Sequence, residues 1–210
     1  MSTPIDVLLD RMAARSAELG RMFALYCHAR VPELDAREEI MAATQASSRA
    51  NFVTMLALMR NRSCVQEYAL PEPILEWPRV LARAGIGVEP ALRAYRICSE
   101  ALWALWTEEV ATWVGDPAQR DAAMRFCMRY AFDYVDHVAE RVAGEHAAEA
   151  ERLRRNGEAV RGATVRALLD GEPLAVDQAG ARLGYDLRRW HVGLIAWRDG
   201  EQATDEHLAG

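Results

Sequence analysis

The sequence contains no lysine, so all 25 of its basic residues are arginine. They are interspersed with 31 acidic residues, and the net charge at pH 7 is −6. Short basic groups occur only at Arg152, Arg154 and Arg155, and at Arg188 and Arg189. Because a nucleic-acid-binding surface needs a basic stripe that neutralises many phosphates, we expect no direct binding of nucleic acid by this chain.

Cysteine is also scarce, and no CxxC pair is present to indicate zinc or a redox centre. The four cysteines lie far apart, each in an apolar helical context, at Cys27, Cys64, Cys98 and Cys127. We expect reduced thiols, no metal and no cofactor. The N-terminus lacks the features of a signal peptide, and no apolar run is long enough to span a membrane. These absences predict a soluble, cytoplasmic protein.

Catalytic signatures are missing as well, since the sequence contains no GxSxG, HExxH, P-loop or GxGxxG. Asp133 and His137 are spaced to share one helix face, but a metal would need further ligands from elsewhere. We interpret this pair as a surface helix contact. The sequence therefore predicts no catalytic residue, no metal site and no enzyme.

The clearest positive signal is helical periodicity. Apolar residues at steps of three and four predict a central helix from Glu89 or Pro90 to Val114, with three of the six tryptophans on one stripe: Leu92, Tyr95, Leu102, Trp103, Trp106, Val110 and Trp113. Similar patterns, with Thr3 as an N-cap before Pro4, predict further helices at about 4–30, 36–60, 71–84 and 118–155. The expected fold is a mainly α bundle of five or six helices.

The last long helix changes composition near Ala143, where large apolar residues give way to Ala, Glu and Arg. We expect it to leave the bundle there as a connector. Gly157 and Gly162 should loosen the chain and place a domain boundary at residue 156, so that 1–156 forms the helical domain. Residues 157–210 should form a short α+β fragment with helices at about 160–169 and 176–183.

One strand, His191 to Trp197 (HVGLIAW), is expected in this second part. Because a single strand cannot be stable alone, we expect the chain to be a piece of a longer protein.

Two stretches resemble the PucR/CdaR-type transcriptional regulators. LARAGIGVEPALRAYRICSEALWALW, from Leu81 to Trp106, is similar to their helical sensory region, which is related to the N-terminal domain of RsbRD-type stress-signalling proteins. VRALLDGEPLAVDQAGARLGYDLRRWHVGLIAW, from Val165 to Trp197, resembles the start of their degenerate GGDEF-like domain. The resemblance implies an N-terminal sensory and dimerising module. It also implies DNA binding only through a C-terminal helix-turn-helix, to which nothing here corresponds.

A small-molecule effector of such a module would be sought at the start of the central helix. Arg93 and Arg96 could hold a carboxylate, and Tyr95 and Trp103 lie beside Arg96. The aromatic residues of the central helix, together with Trp77 and Phe52, could line the pocket for such an effector. The alternative is that these aromatic residues are simply core and that Arg96 pairs locally with Glu100.

Two other functions stay open. His28, on the last turn of the first helix, could be the axial ligand of a globin-like haem sensor. A protein-interaction scaffold of the stress-signalling type would bind a partner protein and no small molecule. The leading hypothesis is a non-enzymatic sensory module, homodimeric, that relays effector or partner binding through the long helix.

Overall fold

The computed structural model describes residues 3–34, 37–190 and 192–193. Its elements are α1 (Pro4–Ala14), α2 (Ser16–Arg30), a 3-10 turn (Pro32–Leu34), α3 (Glu38–Asn61), α4 (Glu72–Arg83), α5 (Val88–Trp113), α6 (Pro117–Leu169) and α7 (Val176–Leu183). The mainly α fold is therefore confirmed. No strand occurs within the described residues. Of the strand expected at 191–197, the structure describes only Val192 and Gly193, neither in a strand, and the rest lies outside the described residues.

The chain divides into two compact units, Met1–Arg155 and Asn156–Gly210. The assignment of the second unit to a GGDEF-like domain stays a prediction. Among the helices of the described ranges, none has both the length and the apolar character needed to cross a membrane.

The sequence predicted one helix over residues 4–30, but the structure has two helices there, α1 and α2. Thr3 caps α1 as expected, with its hydroxyl accepting from the Asp6 amide at 3.2 Å. Arg15 then leaves helical geometry with φ −97° and ψ 9°, and α2 begins. Within α2 the chain comes close to α3, because a Cβ on Gly20 would lie only 2.7 Å from the Arg49 Cβ. Both α1 and α2 bury apolar residues in the core.

Helices α3, α4 and α5 lie within a few residues of their predicted positions. The central helix α5 buries one face completely, and Ala91 and Trp106 have no exposed surface. The core cluster draws on α1 to α5 and on α6 as far as Val142. The central role predicted for this helix is therefore wrong in part, because α3 buries nine residues and α5 buries five.

Helix α6 is longer than expected, because it continues through Gly157 and Gly162 to Leu169 without a separate short helix at 160–169. A glycine costs a helix about 1 kcal/mol relative to alanine. Ion pairs one turn apart oppose that cost, including Glu149 with Arg152 at 2.7 Å and Glu151 with Arg154 at 2.8 Å. The loosening predicted at the two glycines is thus wrong.

Candidate functional site

A hydrogen-bonded group of uncharged side chains joins α3, α5 and α6 around Asn51. The Asn51 Nδ2 donates to the Ser47 carbonyl at 3.0 Å and to the Tyr95 hydroxyl at 3.2 Å. The Tyr134 hydroxyl donates to Asn51 Oδ1 at 2.9 Å. One amide therefore holds a tyrosine of the central helix and a tyrosine of the long helix. We call this arrangement of Asn51, Tyr95 and Tyr134 the uncharged contact.

Both tyrosines of the uncharged contact are neutral. Burial raises the pKa of Tyr95 and also that of Tyr134, because an ionised phenol loses its hydration there. The hydroxyls consequently act as hydrogen-bond donors and acceptors, with no charge, across the physiological pH range.

A second polar group surrounds the buried Thr44 hydroxyl. This hydroxyl donates to the Ile40 carbonyl at 2.7 Å and accepts from the Trp77 indole at 2.9 Å. The His28 Nε2 lies 3.1 Å from the same oxygen. Because the single hydroxyl hydrogen goes to Ile40, the His28 ring must donate through Nε2. That nitrogen is therefore already engaged, which disfavours His28 as an iron ligand.

Between these groups lies a cavity of about 80 Å³ within unit Met1–Arg155. Its walls come from α2 to α6 and are largely apolar, with Phe23, Phe52, Met55, Trp77, Leu102 and Val135 among them. Its polar groups are amide and hydroxyl groups, on Thr44, Ser47, Ser48, Asn51, Tyr95, Ser99 and Tyr134. None of the residues that line the cavity is an arginine, an aspartate, a glutamate or a histidine.

Two cysteines complete the wall where α2 and α5 meet. The Cys27 thiol donates to the Ala94 carbonyl at 3.7 Å, and the Cys98 thiol donates to the Phe23 carbonyl at 3.9 Å. The neighbouring Cys27 thiol and burial raise the pKa of Cys98 well above its ordinary value. The Cys98 thiol therefore adds to an uncharged lining.

The four residues predicted to bind an effector do not assemble around one site. Tyr95 lines the cavity. Arg96 is exposed, because it lies one residue further around α5 than Tyr95. Arg93 pairs with Glu33, and Trp103 packs against the Phe132 ring with centroids 6.4 Å apart.

The aromatic residues of the predicted stripe have different environments. Trp77 and Phe52 line the cavity beside Tyr95, and Trp106 is fully buried. Trp113, at the end of α5, is 50% exposed and lies under the Arg11 guanidinium, 3.5 Å from its carbon to the ring centroid. Of the predicted stripe, Tyr95 therefore lines the cavity, Trp106 belongs to the core and Trp113 makes a surface contact.

The local pairing considered for Arg96 is absent, because Glu100 binds Arg30 at 2.7 Å. The contact proposed between Asp133 and His137 also takes another form. The His137 Nε2 donates to the Tyr68 carbonyl at 3.3 Å, so this nitrogen bonds backbone of the segment before α4.

Helix α6 does not leave the bundle at Ala143, contrary to the prediction. Glu145 binds Arg79 of α4 at 2.8 Å, and Glu149 binds Arg83 at 3.2 Å. The His146 ring donates to the Ile86 carbonyl at 2.8 Å. Polar contacts thus extend the packing beyond the last large apolar residue. We call the two Arg–Glu pairs between α4 and α6 the charged contact.

Most cavity residues were missed in the sequence. Their signal is a row of small polar residues at helical spacing on α3: Thr44, Ser47, Ser48 and Asn51. Such a row inside an otherwise apolar face predicts buried hydrogen bonds. No local sequence pattern marks Tyr134 as a cavity residue, because its hydrogen-bond partner Asn51 is 83 residues away in the sequence.

Comparison with known proteins identifies the domain. Within the described residues, no group of three or more His, Cys, Asp or Glu could hold a metal ion. No curated protein and no solved structure matches the chain significantly. Residues 17–161, well over half of the chain, match the family model of the RsbT co-antagonist protein rsbRD N-terminal domain. The chain therefore belongs to the rsbRD N-terminal domain family.

Proposed function

We propose that this chain is a non-enzymatic sensory module that detects a small molecule in its cavity and relays the change through α6. In this proposal the receiver is the DNA-binding region of a PucR/CdaR-type transcriptional regulator. Membership of a family named for a signalling protein supports the sensory part. The observation that carries the proposal is the uncharged contact, because Tyr134 of α6 forms part of the cavity wall.

The relay follows from how the cavity is built. A ligand beside Asn51 and Tyr134 would favour one packing of α6 over another, and it can shift their populations only by its difference in affinity. Tyr134 and Val135 both line the cavity, so the bound molecule would touch the helix directly. A small rotation of a long helix is then carried to whatever follows it.

Self-association forms the second part of the proposal. Phe132 is 64% exposed and Met128 is 44% exposed, one turn apart on the outer face of α6. Exposed apolar side chains that adjoin one another are typical of interaction surfaces. We propose that this face pairs with a second copy of the chain. A partner protein on the same face would instead make the chain a scaffold, the second candidate function.

A reporter assay tests the relay. The chain would be fused to a DNA-binding domain that occupies its operator only as a dimer. We expect the fusion to repress the reporter, and Phe132→Glu to relieve repression. We also expect Ala94→Val, which narrows the cavity, to change repression several-fold, whereas the same substitution at the exposed Ala104 should not.

Two results would contradict the proposal. A fusion that gives no dimer-dependent repression would overturn self-association and favour the scaffold. Repression that is identical in the Ala94→Val and wild-type fusions would overturn the relay. Mass measurement on the purified chain and its Phe132→Glu variant separates loss of pairing from loss of folding.

A further inference from the structure

We propose that the cavity binds a small uncharged molecule with a short apolar body and one hydrogen-bonding group. This inference rests on the proposed sensory function and specifies the ligand that the module would detect. It replaces the carboxylate-binding site expected at Arg93 and Arg96 with a different site and a different chemistry.

The absence of charged residues from the cavity lining indicates a neutral ligand. An ionised ligand would have to leave water for a site lined by no residue of opposite charge. Burying an unpaired charge is far more costly than burying a hydrogen-bonded neutral group. Arg96 cannot supply the missing charge, because it does not line the cavity and its side chain is exposed. The cavity therefore disfavours a carboxylate or an ammonium ion relative to a neutral ligand of the same shape.

Most polar groups of the cavity lining already have hydrogen-bond partners, which limits how many a ligand can use. The Thr44 hydroxyl has donated to Ile40, and the Ser99 hydroxyl donates to the Tyr95 carbonyl at 2.8 Å. Asn51 is bonded through both its oxygen and its nitrogen. The Ser48 hydroxyl also lines the cavity, and the residue is partly exposed. A ligand with one carbonyl or hydroxyl group could form a hydrogen bond with the Ser48 hydroxyl.

The volume and the apolar walls of the cavity indicate the size and the apolar character of the ligand. A buried water needs two to four polar partners, and most polar groups of this wall are already paired. The volume of about 80 Å³ is roughly half that of an engineered cavity of about 150 Å³ that binds benzene. The cavity therefore suits one organic molecule smaller than benzene better than a cluster of waters.

Three probes of matching shape test the charge rule: propionamide, propionate and propionamidinium. Binding to the purified chain would be measured by ligand-observed NMR and by the shift of the melting temperature. We expect propionamide to bind saturably and to raise the melting temperature. The two ions should bind at least tenfold more weakly, since neither finds a counter-charge.

Variants locate the binding in the cavity. Ala94→Val should weaken propionamide binding at least tenfold, whereas Ala104→Val, the same change at an exposed position of α5, should leave it unchanged. Ser48→Ala removes one hydroxyl without adding volume, and it should weaken binding several-fold even if Ala94→Val fails to fold. Melting temperatures of the unliganded variants show which of them are folded.

Several results would overturn the inference. One is propionate binding as tightly as propionamide. Another is the absence of propionamide binding at about 100 mM, which is the affinity of a five-atom ligand at ordinary ligand efficiency. Equal binding by Ala94→Val and wild type would place the probe elsewhere. The reporter response does not depend on these probes, so a reporter that responds while propionamide fails to bind would reject the ligand class alone.

Discussion

The contacts around Tyr134 and Glu149 lie about four turns apart on α6. Neutral hydrogen bonds hold the helix at Tyr134, whereas ion pairs hold it at Glu149. The uncharged contact is partly buried and links three helices through one amide. The charged contact joins α6 to α4 through partly exposed ion pairs. The first depends on hydrogen bonds between neutral groups, whereas the second depends on charge and should respond to pH and salt. A helix held in both ways can be released at one place while it stays attached at the other.

The largest expected effect comes from removing the centre of the uncharged contact. Asn51→Leu removes the hydrogen-bond partner that the Tyr95 and Tyr134 hydroxyls share, and each lost bond at a buried or partly buried group costs about 1–3 kcal/mol. We expect the free energy of unfolding in urea to fall by about 3 kcal/mol. Asn61→Leu, at the exposed end of α3, serves as the control. A loss at Asn51 no larger than the loss at Asn61 would show that the amide is not structurally important.

A smaller effect is expected from the tyrosines of α6, which lie one turn apart. Tyr134→Phe leaves Asn51 Oδ1 unpaired and should lower the free energy of unfolding by about 2 kcal/mol. Tyr130 donates to the Ser63 carbonyl at 3.3 Å, outside the cavity. Its replacement by Phe should cost only about 0.5 kcal/mol. Equal losses in the two variants would remove the distinction between the uncharged contact and ordinary packing.

The sequence predicted the helices well, because apolar spacing repeats within each element. It predicted α5 closely for the same reason. It missed the break at Arg15, because no proline or glycine lies between residues 11 and 19 to mark it. It also missed the charged contact, since Arg79 and Glu145 are 66 residues apart and either alone is typical of a solvated face.

The candidate site was predicted less completely than the fold. Tyr95 was named as a ligand-binding residue, and Trp77 and Phe52 as possible lining residues. Arg96 was placed beside Tyr95 because the two are adjacent in sequence. Successive residues of a helix point about 100° apart, and Arg96 accordingly faces solvent. Burial of polar residues on α3 is a tertiary property that spacing alone does not reveal.

The smallest effect concerns the acid sensitivity of Glu149, which pairs with Arg83 in the charged contact and with Arg152 of α6 itself. The hydrogen bond from Arg152, and then that from Arg83, lowers the pKa of Glu149 from 4.5 to about 2. A lowered folded-state pKa means that this stabilisation is present above pH 4.5 and is lost as the pH falls towards 2. We expect Glu149→Gln to flatten the dependence of unfolding free energy on pH within this window.

Glu151→Gln is the matched control, because Glu151 pairs only with arginines of α6 itself and is more exposed. Its removal should change the acid profile less than the removal of Glu149. Added salt should reduce the difference between Glu149→Gln and wild type while leaving the effect of Tyr134→Phe unchanged. A Tyr134→Phe effect that varies with salt as strongly would contradict the division of α6 into two kinds of contact.

Hydrogen exchange in the presence of propionamide tests most directly whether occupancy of the cavity acts on α6. In the wild-type chain, saturating propionamide should slow amide exchange in peptides that cover residues 130–138, and propionate at the same concentration should not. The Ala94→Val variant should show no change with either probe. Unchanged exchange at 130–138 while propionamide is bound would contradict the account, because the cavity would then be uncoupled from the long helix.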